Sequence, residues 1–285
     1  MASSSLSFSG DFITSLKSMP SELFVRGMLY LSLTVLGVPG NTAIILAFHL
    51  LLYQENRLLR ADIIVLHLAW ANLLVVGVRC LLETLASFCL ANIFGDTGCK
   101  AALFIHRTSR SLSIWITFVL SAYQCLSLAP PGSHWASVCA MVAHNLSFVF
   151  HFIWLLNTCV SSTAILFSFS TRNNSIPTNS GINIEFCFLQ FPSRLFKEVN
   201  GAVQVVRDVV PIALMTLASV DFDNGLGVYT ITVRTLSSSL LSDLCVFFSS
   251  LYAALSPVVI IASNRKVNAR LRCVVQKKAT STTTT

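Results

Sequence analysis

The stretch GCKAALFIHRTSRSLSI begins at Gly98, and the segment LSAYQCLSLAPPGSHWA closes it at Ala136. Polar side chains recur in it at intervals of three or four residues, at His106, Arg110, Ser113, Thr117, Ser121 and Gln124. This period places them on one face of an α-helix, and the other faces carry Leu, Ile, Phe, Trp and Val. We therefore expect a helix at the centre of a bundle of membrane helices, with its polar face lining a cavity.

Composition favours a membrane protein. Hydrophobic residues make up 54% of the 285 residues and charged residues 11%, whereas an average soluble domain has roughly 25% charged residues. A bilayer is the solvent in which such a chain can expose its apolar surface. The net charge of +7 does not indicate nucleic-acid binding. Instead, six basic residues beside the last apolar run favour contact with anionic lipid at the inner surface: Arg265, Lys266, Arg270, Arg272, Lys277 and Lys278.

Apolar runs predict six clear membrane spans between two polar tails, and hence an all-α, polytopic helix bundle. The spans lie near residues 27–53, 62–87, 99–129, 138–169, 199–220 and 238–263. Residues 1–21 are expected to form an extracellular N-terminal tail, residues 22–263 the bundle, and residues 264–285 a basic C-terminal tail.

The number of spans conflicts with the charge of the C-terminal tail. With the N-terminus outside, six crossings would leave the basic tail outside, whereas basic segments beside spans remain on the inner side. A further crossing between Val220 and Ser238 would resolve the conflict. However, only about nine apolar-leaning residues, glycines and threonines included, lie between Asp223 and Arg234, and a membrane helix needs about twenty. The chain either lacks a helix or is re-entrant here, and we favour the missing helix.

Motifs in several spans carry a resemblance to a known family. They are Gly98-Cys99-Lys100, His106-Arg107 and Ser113-Ile114 in the third span, ADIIVLHLAWANLLV at residues 61–75, and LSPVVIIASNRKV at residues 255–267. With these motifs the chain resembles the vomeronasal type-1 receptors, known in fish as class A-related olfactory receptors. The resemblance implies a rhodopsin-like, seven-helix G-protein-coupled receptor. The family's third inner loop and sixth helix have no counterpart in this sequence.

The resemblance implies a chemosensory receptor that binds a small odorant or pheromone within its helix bundle. Binding would shift the bundle toward a conformation that a heterotrimeric G protein recognises. Such a receptor would act in the plasma membrane of chemosensory neurons, without a cofactor and without enzyme activity. Two alternatives stay open. One is a truncated, non-signalling fragment retained in the endoplasmic reticulum, and the other is a small transporter or channel, for which we find no inverted repeat.

Ionisable residues inside the predicted spans are the candidate ligand contacts: His106, Arg110, Arg79, Glu83, Arg207, Asp208 and Asp243. His106 stands where amine receptors of the wider superfamily carry an acidic residue. The site therefore favours a carboxylate, a phenolate or another hydrogen-bond acceptor. The alternative is a structural role, because buried membrane charges are usually paired. Glu83 or Asp208 could pair with His106 and Arg110, and Arg79 lies four residues before Glu83 on one helix face.

The resemblance also implies a disulfide bond between Cys99 and Cys187, which would hold the second outer loop over the cavity. Asn173, in the sequon Asn-Asn-Ser, is a glycosylation site if this loop lies outside. In the basic tail, a short amphipathic helix would turn Val267 toward lipid. The six histidines and nine cysteines show no metal-ligand spacing, so we expect no metal site.

Overall fold

The computed structural model describes residues 21–55, 58–88, 95–127, 134–170, 181–184, 187–219, 239–263 and 267–268. Most of these residues are helical. The helices are α1 (Ser21–Glu55), α2 (Arg60–Leu74), α3 (Leu81–Ser87), α4 (Asp96–Ser127), α5 (His134–His144), α6 (Leu146–Ser161), α7 (Thr163–Phe167), α8 (Arg194–Ser219) and α9 (Ser239–Ser263). A π-helical segment, Val75–Cys80, joins α2 to α3.

Three helical stretches are long and apolar enough to cross a membrane by length and composition. Within the described ranges these are Ser21–Gln54, Arg60–Ser87 and Leu146–Phe167. Two other long helices, α4 and α8, carry charged side chains in their middle, including Arg110 and Asp208, which lower their mean hydropathy. Their polar faces therefore need partners inside the bundle, and the other helices supply them.

The loop before α8 contains a small antiparallel sheet that the pattern of apolar runs did not predict. The central strand, β3 (Cys187–Gln190), pairs with β1 (Ser168–Ser170) on one side and β2 (Gly181–Ile184) on the other. The segment GINIEFCFLQF is rich in β-branched and aromatic residues, which favour extended backbone. The sheet also ends the fourth helical stretch at Phe167, slightly before the predicted boundary near 169.

Contacts along the first helices show that they alternate in direction. Gly27, near the start of α1, approaches Ser87 at the end of α3, whereas Phe48, near the end of α1, packs with Ala69 of α2. The α4 helix runs back again. Its early residue Leu103 shares a buried cluster with Leu82, and its later residues pack with the first half of α2 and with α6: Leu112, Ile116 and Val119.

The last two long helices, α8 and α9, run in the same direction as α4 and α1. Trp115 contacts Arg207 and Ser121 contacts Met215, so residue numbers increase together along α4 and α8. The Tyr30 ring of α1 contacts the Phe247 ring of α9, and both residues lie in the first half of their helices. The two helices therefore begin at the same end of the bundle. We call the end of the bundle that holds Cys99 and Cys187 the disulfide end. Both α8 and α9 therefore run away from the disulfide end.

Val267, just beyond α9, is fully buried, which corrects the expectation that it faces lipid. It joins a cluster with Phe48 and Leu51 of α1 and with Ala69 of α2, at the end of the bundle opposite the disulfide. Its isopropyl group fills the space between the two helices, and burial there is favoured over isolated contact with the lipid surface. Val267 is thus held near Leu51 at the end of α1 and Leu58 just before α2.

Asn41 stabilises the contact between α1 and α9. Pro257 has no backbone N–H, so the carbonyl of Ala253, four residues earlier, loses its donor within α9. The Asn41 side chain donates to that carbonyl at 3.0 Å and to the carbonyl of Gly37 at 2.8 Å. An unsatisfied carbonyl in a bilayer is costly. Asn41 therefore makes the proline in α9 compatible with a buried position.

Gly37 lets α1 approach its neighbours closely. A Cβ atom at this position would lie 2.9 Å from a methyl carbon of Val76 and 3.0 Å from the backbone Cα of Ala254. We expect Gly37→Ala to lower the free energy of unfolding by about 1–3 kcal/mol through overpacking. The measurement is thermal unfolding of the purified chain in detergent. Gly201→Ala is the control, since a Cβ there meets nothing within 4 Å. Equal melting temperatures for the two variants would contradict the packing.

Candidate ligand-binding cluster

Two arginines share one carboxylate where α4 packs against α8. The Arg110 guanidinium donates from Nη2 to Oδ2 of Asp208, and Nε of Arg207 donates to Oδ1 at 3.0 Å. Nη1 of Arg207 also donates to the Ser161 hydroxyl of α6 at 3.0 Å. The side chains of Arg207 and Asp208 are 4% and 8% exposed. We call Arg110, Arg207 and Asp208 the ion cluster.

A proline in α8 helps to position the ion cluster. Pro211 lacks a backbone N–H, so the carbonyl of Arg207, four residues earlier, has no helical donor. The indole Nε1 of Trp115 on α4 donates to this carbonyl at 3.2 Å. The same hydrogen bond brings α4 and α8 together at the depth where Arg110 meets Asp208.

We expect Trp115→Phe to lower the free energy of unfolding by about 1–3 kcal/mol, because it leaves the Arg207 carbonyl without a donor. Pro211→Ala restores a backbone N–H that can serve this carbonyl. The cost of Trp115→Phe should therefore be smaller in the Pro211→Ala background. A double-mutant cycle of thermal unfolding measures the difference. Strictly additive effects would contradict the role assigned to the indole.

Beside the ion cluster, two polar side chains are left without partners. Nδ1 of His106 and Nη1 of Arg107 are buried, and neither has a hydrogen-bond partner among the described residues. His106 lies close enough to Arg79 and Arg110 for their charges to act on it. Of the sequence-predicted contacts, Arg110, Arg207 and Asp208 are joined directly, while His106 adjoins them without a hydrogen bond.

A second group of charges links α1 to the chain between α2 and α4. The Glu83 carboxylate, 1% exposed, pairs with Arg79 through Oε1 and with Arg26 at 2.7 Å through Oε2. The predicted pairing of Arg79 with Glu83 is present. Arg26 was missed because it precedes the apolar run that predicted the first span. Arg26 lies one residue before that run, at the edge of the span. A basic side chain at such an edge can reach toward the bundle, and this position is the sequence signal for its role.

The lower part of the α4 polar face bonds to other helices. Ser113 donates to the Asn72 carbonyl oxygen at 2.6 Å, and the Asn72 amide donates to Ser256 of α9 at 2.9 Å. The Thr117 hydroxyl lies 3.2 Å from the Tyr252 hydroxyl. These bonds tie α2, α4 and α9 together below the charged groups.

The disulfide bond implied by the resemblance is present between Cys99 and Cys187. Both residues are fully buried, in a cluster with Leu82 of α3 and Leu189 of β3. The bond joins the first turn of α4 to the central strand, so the sheet lies at the end of the bundle where α4 begins.

Two predicted sites cannot be compared with the structure. Asn173 lies outside the described residues, and so does the side chain of Asp243, although its backbone belongs to α9. In the described part of the chain no group of three or more His, Cys, Asp or Glu side chains could hold a metal ion.

Comparison with known proteins identifies the family. The model of the vomeronasal organ pheromone receptor family matches residues 24–243, which include the ion cluster and the disulfide. The chain belongs to this family. Its members, the vomeronasal type-1 receptors, are multi-pass membrane receptors with seven helices, and they are not enzymes. The chain is therefore a multi-pass membrane protein of a chemosensory G-protein-coupled receptor family.

Named vomeronasal-type relatives match long parts of the chain. It is 30% identical to olfactory receptor class A-like protein 1 of Danio rerio over 298 aligned positions, which cover 89% of this chain and 94% of the zebrafish protein. It is also 30% identical to vomeronasal type-1 receptor 3 of Homo sapiens over 203 positions, covering 70% of this chain and 65% of the human receptor. Human vomeronasal type-1 receptor 2 is 26% identical over 185 positions, covering 65% of this chain and 47% of that receptor.

The zebrafish alignment is longer than this vomeronasal-type chain itself. Since 89% of 285 residues is about 254, about 44 of the 298 aligned positions have no residue from this chain.

Proposed function

We propose that this vomeronasal-type chain binds a small odorant or pheromone between its helices, below the disulfide-linked sheet. The observation that carries the proposal is the ion cluster, which gathers charge from α4 and α8 inside an otherwise apolar bundle, next to His106. Ionisable residues within membrane helices mark functional sites by default. The candidate contacts remain His106, Arg110, Arg79, Glu83, Arg207, Asp208 and Asp243.

The chemistry of these groups favours a ligand that accepts hydrogen bonds. Guanidinium groups only donate hydrogen bonds, and they bind carboxylates through two parallel bonds. Neutral imidazole can donate to a carbonyl, a phenolate or a carboxylate. An amine would meet like charges from the arginines. We therefore propose an anionic or carbonyl-rich ligand rather than an amine.

For signalling we propose the usual orientation, with the disulfide end outside and the basic tail inside, where a heterotrimeric G protein would contact the plasma-membrane receptor. The packing of Val267 against Leu51 supports this orientation, because it puts the beginning of the basic tail at the end opposite the disulfide. Residues 220–238 would then return from the inner to the outer end.

A truncated, non-signalling fragment is the second candidate. The extra positions of the zebrafish relative favour it, because they are enough for one helix and a loop. The two candidates share the ligand site and differ in coupling. Ligand binding without any G-protein response in cells would support the fragment. The transporter alternative is dropped, since the members of this family are receptors.

His106→Ala tests the ligand site independently of signalling. Small carboxylic acids, phenols and neutral amides are screened for protection of the purified chain against thermal unfolding. We expect His106→Ala to weaken binding of the best protecting compound roughly tenfold to hundredfold, as for a lost hydrogen bond to a charged group. His151→Ala is the control, because His151 is an exposed α6 histidine bonded to its own helix. Unchanged affinity in His106→Ala would remove His106 from the ligand contacts.

A further inference from the structure

Arg107 adds a third guanidinium beside the ion cluster, where only one described carboxylate is present. It lies three residues before Arg110 on α4, so the two side chains point to neighbouring positions on the helix surface. The charges of Arg110 and Arg207 both act on it. Asp208 is already shared between those two arginines. The three arginines and one aspartate therefore carry an excess of positive charge.

Arg107 is also the arginine of this group that has no hydrogen-bond partner among the described residues. Its Nη1 atom is buried, and no hydrogen bond or ion pair joins the side chain to any described residue. Arg107 lies eight residues beyond Cys99, about 12 Å deeper along the helix axis. At this depth a charged side chain normally faces the bundle interior and is paired. The residue as a whole is half-buried, and a guanidinium whose buried nitrogen has no partner is costly unless something else supplies one.

We propose that Arg107 is the anchor for the acidic group of the ligand, a carboxylate or a group of similar charge and shape. This inference rests on the proposed ligand site and names the residue that selects the ligand class. Among Arg107, Arg110 and Arg207, Arg107 is the one without an ion-pair partner in the described part of the chain, whereas Arg110 and Arg207 each pair with Asp208. The ion cluster then holds the neighbouring charges in place, and His106, one residue away, donates or accepts a second hydrogen bond.

The proposal distinguishes Arg107 from a structural arginine. If the partner of Arg107 is a ligand, the neutral, unbranched Arg107→Met removes a half-buried charge that has no partner among the described residues. The unliganded chain should then melt at the same temperature or higher. Arg110→Met takes one partner from Asp208 and should lower the melting temperature. A fall in Arg107→Met comparable to that in Arg110→Met would overturn the proposal, because it would mean that Arg107 already has a partner.

The ligand class is tested with matched acids and amides, such as 3-phenylpropanoate and 3-phenylpropanamide, in a set of varied carbon skeletons. The probes are added to the purified full chain, and protection against thermal unfolding is measured. We expect acids to bind at least tenfold more tightly than their amides, and we expect Arg107→Met to abolish this preference. Arg107→Lys should keep part of it, and the exposed control Arg194→Met should keep all of it.

Three results of the binding experiment would also overturn the inference. They are equal binding of acids and amides by the unmodified chain, no protection by any acid, and an acid preference that survives in Arg107→Met. Equal binding of acids and amides would leave the proposed function intact. If His106→Ala weakens the binding of an amide, a ligand site is still present. Loss of protection by acids, phenols and amides alike would instead contradict the proposed function itself.

Discussion

Asp208→Asn is expected to destabilise the folded chain by about 3–5 kcal/mol and to reduce its yield at the cell surface severely. The substitution keeps the side-chain shape but removes the negative charge that Arg110 and Arg207 share. Removing one partner of a buried ion pair leaves an uncompensated charge, which costs far more than the pair itself contributes. Because total stabilities are roughly 5–15 kcal/mol, this loss is a large fraction.

Glu198→Gln is the matched control for this prediction. Glu198 also pairs with an arginine, and it lies on α8 like Asp208, but its side chain is 61% exposed. Exposed pairs contribute roughly 0–1 kcal/mol, so this variant should unfold close to the wild-type temperature. Replacing the whole ion cluster by apolar residues (Arg110→Met, Arg207→Met and Asp208→Leu) should recover much of the stability lost in Asp208→Asn. A single Asp208→Asn variant as stable as Glu198→Gln would contradict the ion cluster.

Cys99→Ser and Cys187→Ser are each expected to lower the free energy of unfolding by about 2–5 kcal/mol. The bond links two cysteines that are 88 residues apart in the sequence. Without the bond the unfolded chain has more conformational freedom, so folding costs more entropy. The central strand β3 would also lose its attachment to α4. The measurements are thermal unfolding of each variant and of the wild type with and without reductant.

The exposed free cysteine on α6 provides the control for the disulfide. Cys159→Ser removes a thiol that bonds to no other cysteine, and it should leave both unfolding and reductant sensitivity unchanged. The double variant Cys99→Ser with Cys187→Ser should be no less stable than either single variant, since all three lack the same bond. The wild-type melting temperature should fall when reductant is added under conditions that expose the bond. An unchanged melting temperature would contradict the contribution of the disulfide to stability.

Features that depend on local sequence periodicity were predictable. The three-and-four spacing of polar residues indicated the inward face of α4, and Ser113 and Thr117 on that face bond to other helices. The four-residue spacing of Arg79 and Glu83 predicted their ion pair. Both arguments need only the geometry of one helix, which the sequence specifies directly.

Contacts between distant segments were beyond that reasoning. Arg26 reaches Glu83 across 57 residues, and Val267 packs against the end of α1, because tertiary packing and not local period chooses these partners. The small sheet was missed because turn residues dominate the loop, although GINIEFCFLQF carries the strand-forming signal.

Arg107 was passed over for a related reason. The periodic face selected His106 and Arg110, and adjacent residues on a helix differ by about 100° in direction, so Arg107 fell outside the stripe. The packing of α8 widens the charged region, because Arg207 and Asp208 approach α4 from the side. A face read from one helix alone is therefore narrower than the site that two helices build together.

The position of the basic tail tests the receptor-like topology most directly. An epitope placed after Thr285 is probed with antibody on intact and on permeabilised cells, and an epitope before Met1 reports the other terminus. We predict that the C-terminal epitope is detected only after permeabilisation and the N-terminal epitope on intact cells. The parallel directions of α1 and α9 put the two termini on opposite sides, and the proposed orientation puts the N-terminus outside. Detection of both epitopes on intact cells would contradict this topology, because it would mean an even number of crossings.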